Sequence, residues 1–191
     1  MRAIQYRSIR RHVRSGDLVA FEGKTLAGRL IRTWTGSRYA HVGIAMWLVA
    51  KGAPPRLFVL ESRTRKGVSM RLLSNAGDCW YLPTGIVWNA DVNRFVWPLL
   101  GTAEYDWASI FRLLSFRRAK RDRSYYCSEF AGEVLQRGGF AIEEVNFSDP
   151  GELVQSVLRN GPGQIFWISN HRASTSQRRS ETRETQANNP V

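Results

Sequence analysis

Thiols and imidazoles are scarce in this chain. Its 191 residues hold two cysteines, Cys79 and Cys127, and three histidines, His12, His41 and His171. Two cysteines can close one bridge at most, which excludes a disulfide framework, and no CxxC pair offers zinc-type spacing. A reduced compartment is the default expectation. Long apolar runs are missing too: none approaches about 20 residues, so no membrane-spanning helix is expected. Acidic residues are few, 16 against 28 Lys and Arg, for a formal net charge of +12. That excess favours an anionic partner such as nucleic acid, acidic lipid or a wall polymer, yet a solvated basic surface explains it equally well.

What is present argues for a globular body. Apolar residues make up 43% and there are seven Trp, enough for one domain with a real core. Residues 1–14 read as a loosely held basic arm, 15–169 as the folded domain, and 170–191, rich in Ser, Thr, Arg, Gln and Asn, as a disordered tail. Short β-type runs appear at 18–21, 41–49, 57–61, 67–73, 79–82 and 165–168. Helical spacing appears at 25–34, after Asn89, at 106–116, at 125–136 closed by Gly138 and Gly139, and after Ser148-Asp149-Pro150. Strands dominate the first half and helices the second, which predicts an α+β fold: an antiparallel sheet of about six strands packed against helices.

Two islands carry chemistry. In Tyr39-Ala40-His41-Val42-Gly43-Ile44 a histidine leads a buried-looking strand. In Tyr126-Cys127-Ser128-Glu129-Phe130 a cysteine sits in the first turn of a helix. Only the thiolate attacks carbon, and a free thiol near pKa ~8.5 is mostly protonated at neutral pH. A helix dipole contributes roughly 0.3–1 kcal/mol, less than one pKa unit, so a strong effect requires an imidazolium neighbour. His41 is the candidate, because His12 lies in the basic arm and His171 at the edge of the tail. If strands 41–49 and 57–61 pair as a hairpin, the start of one lies beside the end of the other. Glu61 then meets His41 and can orient its ring. Each residue also has a plainer reading: Cys127 as an inert core thiol, His41 as a hydrogen-bonded core residue, Glu61 as a partner of Arg63 or Arg65. Cys79, inside an apolar strand, keeps that plainer reading, and Glu129 serves the helix N-terminus electrostatically. Tyr39, Tyr126 and Ser128 flank the pair and are the candidates for substrate contact or oxyanion support.

Taken in order, these segments resemble the circularly permuted branch of the NlpC-type papain-like superfamily, the YiiX/YebB-like cysteine hydrolases. Ser15-Gly16-Asp17-Leu18 is similar to that family's opening strand, Tyr39 to Ile44 to its histidine strand, and Leu60-Glu61-Ser62 to the strand of its third polar member. Gly101 to Asp106 is similar to the segment before the nucleophile, Tyr126 to Phe130 to the nucleophile motif, and Ser148 to Leu153 to the helix that follows. The resemblance implies a permuted papain-like fold with histidine ahead of cysteine in the chain. It makes Cys127 the nucleophile, His41 the general base and Glu61 the orienting acid, with the Cys127 main-chain N–H in an oxyanion hole. It implies amide cleavage, often in peptidoglycan-type peptides, while lecithin–retinol acyltransferase-like relatives move lipid acyl groups. The basic run from Arg112 to Arg123, the Trp-rich middle and the arginine-rich tail depart from the pattern.

The expectation is therefore a cysteine amidase or peptidase working through a thioacyl-enzyme, with no metal or organic cofactor. Its substrate would be an anionic peptide, a cell-wall fragment or a lipid. Lipid acyl transfer on the same fold is the nearest rival. A basic nucleic-acid binder and an inactive scaffold are the rivals of another class. Without the roughly 7–15-residue apolar stretch of a secretory signal, the chain reads as cytoplasmic when synthesised, with phage-borne or other delivery left open.

Overall fold

The computed structural model describes residues 4–23, 29, 32–33, 35–63, 67–101, 126–141 and 149–170. Their centre is one seven-stranded sheet, formed by β1 (Ile4–Gln5), β2 (Leu18–Phe21), β3 (His41–Leu48), β4 (Arg56–Arg63), β5 (Gly67–Leu72), β6 (Cys79–Leu82) and β7 (Phe166–Ser169). The spatial order is β1-β7-β6-β2-β3-β4-β5. Every pairing is antiparallel except β1 with β7, which is parallel, so the sheet is mixed rather than the six-stranded antiparallel one expected. The extra strand comes from the basic N-terminal stretch. There Ile4 and Gln5 pair with Ile168 and Ser169, α1 (Tyr6–Ile9) follows, and Ile9 and Val13 are buried. From Ile4 onward this stretch is not a loosely held arm: burying two aliphatic side chains at about 1.5–3 kcal/mol each outweighs its surplus of charge.

The central strands are apolar on both faces because both faces are covered. On one side Leu18, Ala20, Val42, Ile44, Leu60 and Leu82 pack against α2 (Ala90–Leu99), α3 (Cys127–Arg137) and α4 (Pro150–Asn160). On the other, Val19, Ala45, Val59 and Tyr81 pack with Ile9, Val13 and the short 3-10 turn Leu73–Asn75. The alternation of side chains along a strand divides each strand between these two cores.

Caps set the helix starts. The Asn89 side chain accepts the Val92 N–H at 2.9 Å, and Asp149 accepts the Gly151 N–H at 2.6 Å with Pro150 in the first turn. α3 begins at Cys127 behind Tyr126, two residues later than the spacing suggested, and the Glu129 carboxylate accepts the Tyr126 N–H at 3.0 Å. Of the helix expected over 25–34, Arg29, Arg32 and Thr33 are described and are helical. The helix expected over 106–116, the basic run to Arg123, and the tail after Asn170 lie outside the described residues. Among the described residues no helix is long and apolar enough to cross a membrane.

Candidate active site

β3 ends its ladder with β4 at Ile44↔Leu60, short of His41, which opens the strand. β4 continues instead with β5, through Glu61↔Ser69 to Arg63↔Gly67. His41 and Glu61 sit near this fork, and Gly43 makes their meeting feasible. A Cβ at Gly43 would stand 2.6 Å from the Leu60 carbonyl oxygen, 2.7 Å from Val59 Cγ2 and 3.2 Å from Glu61 Cβ. Without one, the Glu61 side chain crosses the strand, and His41 Nε2 lies 2.7 Å from Glu61 Oε2. Glu61 is 1% exposed and His41 24%. The carboxylate is sealed in while the ring keeps an open edge.

The third member comes from a helix packed on the sheet. Cys127 is the first residue of α3, and its thiol and the His41 ring are near enough to shift each other's titration. Glu61 occupies Nε2, which leaves Nδ1 as the ring atom for the sulfur. The main-chain N–H groups of Val42 and Ser128 also favour the charged form of Cys127. A helix start leaves its first N–H groups without partners inside the helix, which favours negative charge on a sulfur placed there. Cys127, His41 and Glu61, drawn from three separate segments, meet in one cluster, with His41 hydrogen-bonded to Glu61 and coupled in charge to Cys127.

Electrostatics follow from those contacts. Burial alone would raise the Cys127 thiol, but the neighbouring His41 and main-chain N–H groups hold it below its ordinary value. Burial alone would lower His41; bonds to Cys127 and Glu61 overcome that and push it up to about 9. Burial would raise Glu61, and His41 and Arg71 together hold it below the usual carboxylate range. The three shifts point the same way, toward thiolate, imidazolium and carboxylate. Cys79 is the contrast, fully buried in β6 and pushed up to about 12, chiefly by burial and then by Asp78.

The flanking candidates fall differently. Tyr39 is half-buried, its ring edge-on to Trp80 at 6.2 Å, and Trp80 in turn packs on Trp167 at 4.8 Å. Tyr126 is the N-cap residue of α3. Ser128 is buried, and among the described residues its Oγ has no hydrogen-bond partner. Arg71 was not picked out from the sequence. It approaches Glu61 with Nε 2.6 Å from Oε1 and Nη2 3.2 Å from Oε2. Arg63, considered as the partner, stands off at 3.9 Å, and Arg65 lies outside the described residues. Only the β4–β5 register, with Val59 opposite Arg71, could have found it. Among the described residues no group of three or more His, Cys, Asp or Glu side chains is placed to hold a metal ion.

Compared with protein-family models and with curated proteins, the chain matches none.

Proposed function

We propose that the protein is a cysteine hydrolase of permuted papain-like type that cleaves amide bonds through a thioacyl-enzyme. The observation that carries this reading is the meeting of Cys127, His41 and Glu61, with the sulfur at a helix start and His41 Nε2 2.7 Å from Glu61 Oε2. A thiolate, a histidine able to give and take a proton, and a buried acid that fixes the histidine's tautomer are the parts that acyl transfer needs.

In this mechanism the Cys127 thiolate attacks the carbonyl carbon, and the C=O electron pair moves onto oxygen. The α3 N-terminus, with the Cys127 main-chain N–H, faces that developing charge. The imidazolium of His41 gives its proton to the departing amine as the C–N bond breaks, leaving a thioester and a neutral ring. His41 then takes a proton from water, the resulting hydroxide attacks the thioester, and the acid product leaves as the thiolate and imidazolium re-form. Glu61 stays ionised throughout and holds Nε2–H, so that Nδ1 always faces sulfur.

The test is hydrolysis of a panel of peptide and muropeptide amides by the protein and by Cys127→Ala and His41→Ala. Both variants are expected to lose at least about a thousandfold in kcat/KM while remaining folded. Hydrolysis surviving both changes would overturn the proposal. The mass trapped on Cys127 identifies the substrate class: a peptide acyl group supports amide cleavage, whereas a fatty acyl group places lipid acyl transfer ahead of it.

A further inference from the structure

Arg71 belongs to β5, an edge strand of the sheet, and is not a neighbour of Cys127 in any hydrogen bond. Its guanidinium nevertheless makes the most constrained set of contacts around the site. Nε and Nη2 take one oxygen each of Glu61, at 2.6 and 3.2 Å, and Nη1 donates to the Ala76 carbonyl at 3.2 Å. The guanidinium carbon lies 5.1 Å over the Phe21 ring, and Phe21 in turn lies 5.8 Å from the His41 ring, tilted by 33°. All three guanidinium nitrogens are therefore engaged. Surface pairing of an exposed arginine would be adequate for sheet stability and would not require such a fork.

We infer that Arg71 is a positioning residue for the reaction: it clamps the Glu61 carboxylate by both oxygens so that Oε2 stays on His41 Nε2 through the catalytic cycle. This rests on the reading of the site as a cysteine hydrolase. The reason a clamp is needed lies in the cycle itself. Each turnover takes His41 from imidazolium to neutral and back, and the neutral ring holds Glu61 far less strongly. A sealed carboxylate with no other firm partner would then take up a proton or rotate. Arg71 cannot lose its charge, and its planar fork matches a carboxylate geometrically, which an ammonium does not. The charged groups facing Glu61 are His41 from β3, Arg71 from β5 and Arg63 on its own strand at 3.9 Å. Phe21 from β2 adds a wall without charge.

The experiment compares the intact protein with Arg71→Met and Arg71→Lys, with and without Glu61→Gln. Titration is followed through the His41 Nε2 resonance, which needs no substrate. In the wild type Glu61 stays ionised below the ordinary carboxyl value of 4.5. In Arg71→Met the acid step is expected to move to higher pH, because burial is left with one compensating partner fewer. With an amide substrate, kcat is expected to fall about a hundredfold with little change in KM, the acid limb moving up with it. Arg71→Lys should restore the low titration of Glu61 and only part of kcat. In the Glu61→Gln background, Arg71→Met should add little. An unmoved Glu61 step, or an undiminished effect of Arg71→Met when Glu61 is already Gln, would overturn the inference. If Arg71→Met does not fold, Arg71→Lys decides: full wild-type kcat in that variant overturns the clamp. Survival of activity in Cys127→Ala would sink the hydrolase reading instead, without touching the titration result.

Discussion

Glu61 keeps a charge where water scarcely reaches it, and the reason is local. Two cationic partners within 3.2 Å offset its desolvation, as a buried carboxylate demands. Glu61→Gln keeps the shape and removes the charge. Losing an adjacent opposite charge moves a titrating group by roughly 1–3 units, so the imidazolium should lose its proton at lower pH. The high-pH fall in kcat/KM, expected near pH 9 in the wild type because His41 is pushed up to about 9, should shift downward in Glu61→Gln. A pH–rate profile of the two proteins checks both sign and size. At this scale the sequence was informative for Cys127, His41 and Glu61, because their residue types are rare or out of place in apolar strands. It was silent on Arg71, one arginine among many, whose meaning depends on a cross-strand register that local pattern does not encode.

Elements bring those residues together through the fork between β3 and β4. At Gly43 the main chain of β3 runs close against Val59, Leu60 and Glu61 of β4. A methyl there would press on main-chain oxygen at 2.6 Å, which cannot swing aside as a side-chain tip can. Gly43→Ala should therefore lower the denaturation midpoint, by about 1–3 kcal/mol of stability. It should also weaken the His41–Glu61 contact, seen as a lower imidazole pKa in the same sample. A loss of stability with unchanged His41 titration would mean the glycine serves packing alone. The strands at 18–21, 41–48 and 79–82 were readable because β-branched and aromatic residues lie between clear breaks. β1 and α1 were not: two and four residues are too short to show a period, and their partner β7 lies over 160 residues away, as Ile4↔Ile168 shows.

Across the whole molecule, a second buried acid locks the sheet without sharing the site's chemistry. Asp17 is 3% exposed. It accepts the Arg14 N–H at 2.6 Å, the Tyr81 hydroxyl at 2.9 Å and the Thr84 N–H at 3.0 Å, pinning the entry to β2 against the exit of β6. Burial, its largest influence, raises its pKa despite those donors. Asp17→Asn must point an NH2 at one of these donors, an expected loss of about 1–3 kcal/mol in denaturant unfolding, with Cys127 reactivity retained. His41 has the opposite reach. Its folded pKa of about 9 stands above the unfolded 6.5, so its contribution to stability is complete below about pH 6.5 and disappears as pH rises through about 9. A scan of unfolding midpoint against pH, in wild type and His41→Ala, reads that difference. The α+β class was legible from strands giving way to helices; the mixed sheet was not, because its one parallel pair joins the two ends of the described chain. All of this serves a single claim, that Cys127 and His41 share a proton as thiolate and imidazolium. The most direct measurement is the rate of iodoacetamide alkylation at each cysteine at pH 6, mapped by mass spectrometry, in wild type and His41→Ala. The account predicts rapid modification of Cys127, none of Cys79, and loss of the Cys127 reaction in His41→Ala until pH approaches about 8.5. Equal reactivity of the two thiols, or a Cys127 rate indifferent to His41, would contradict it.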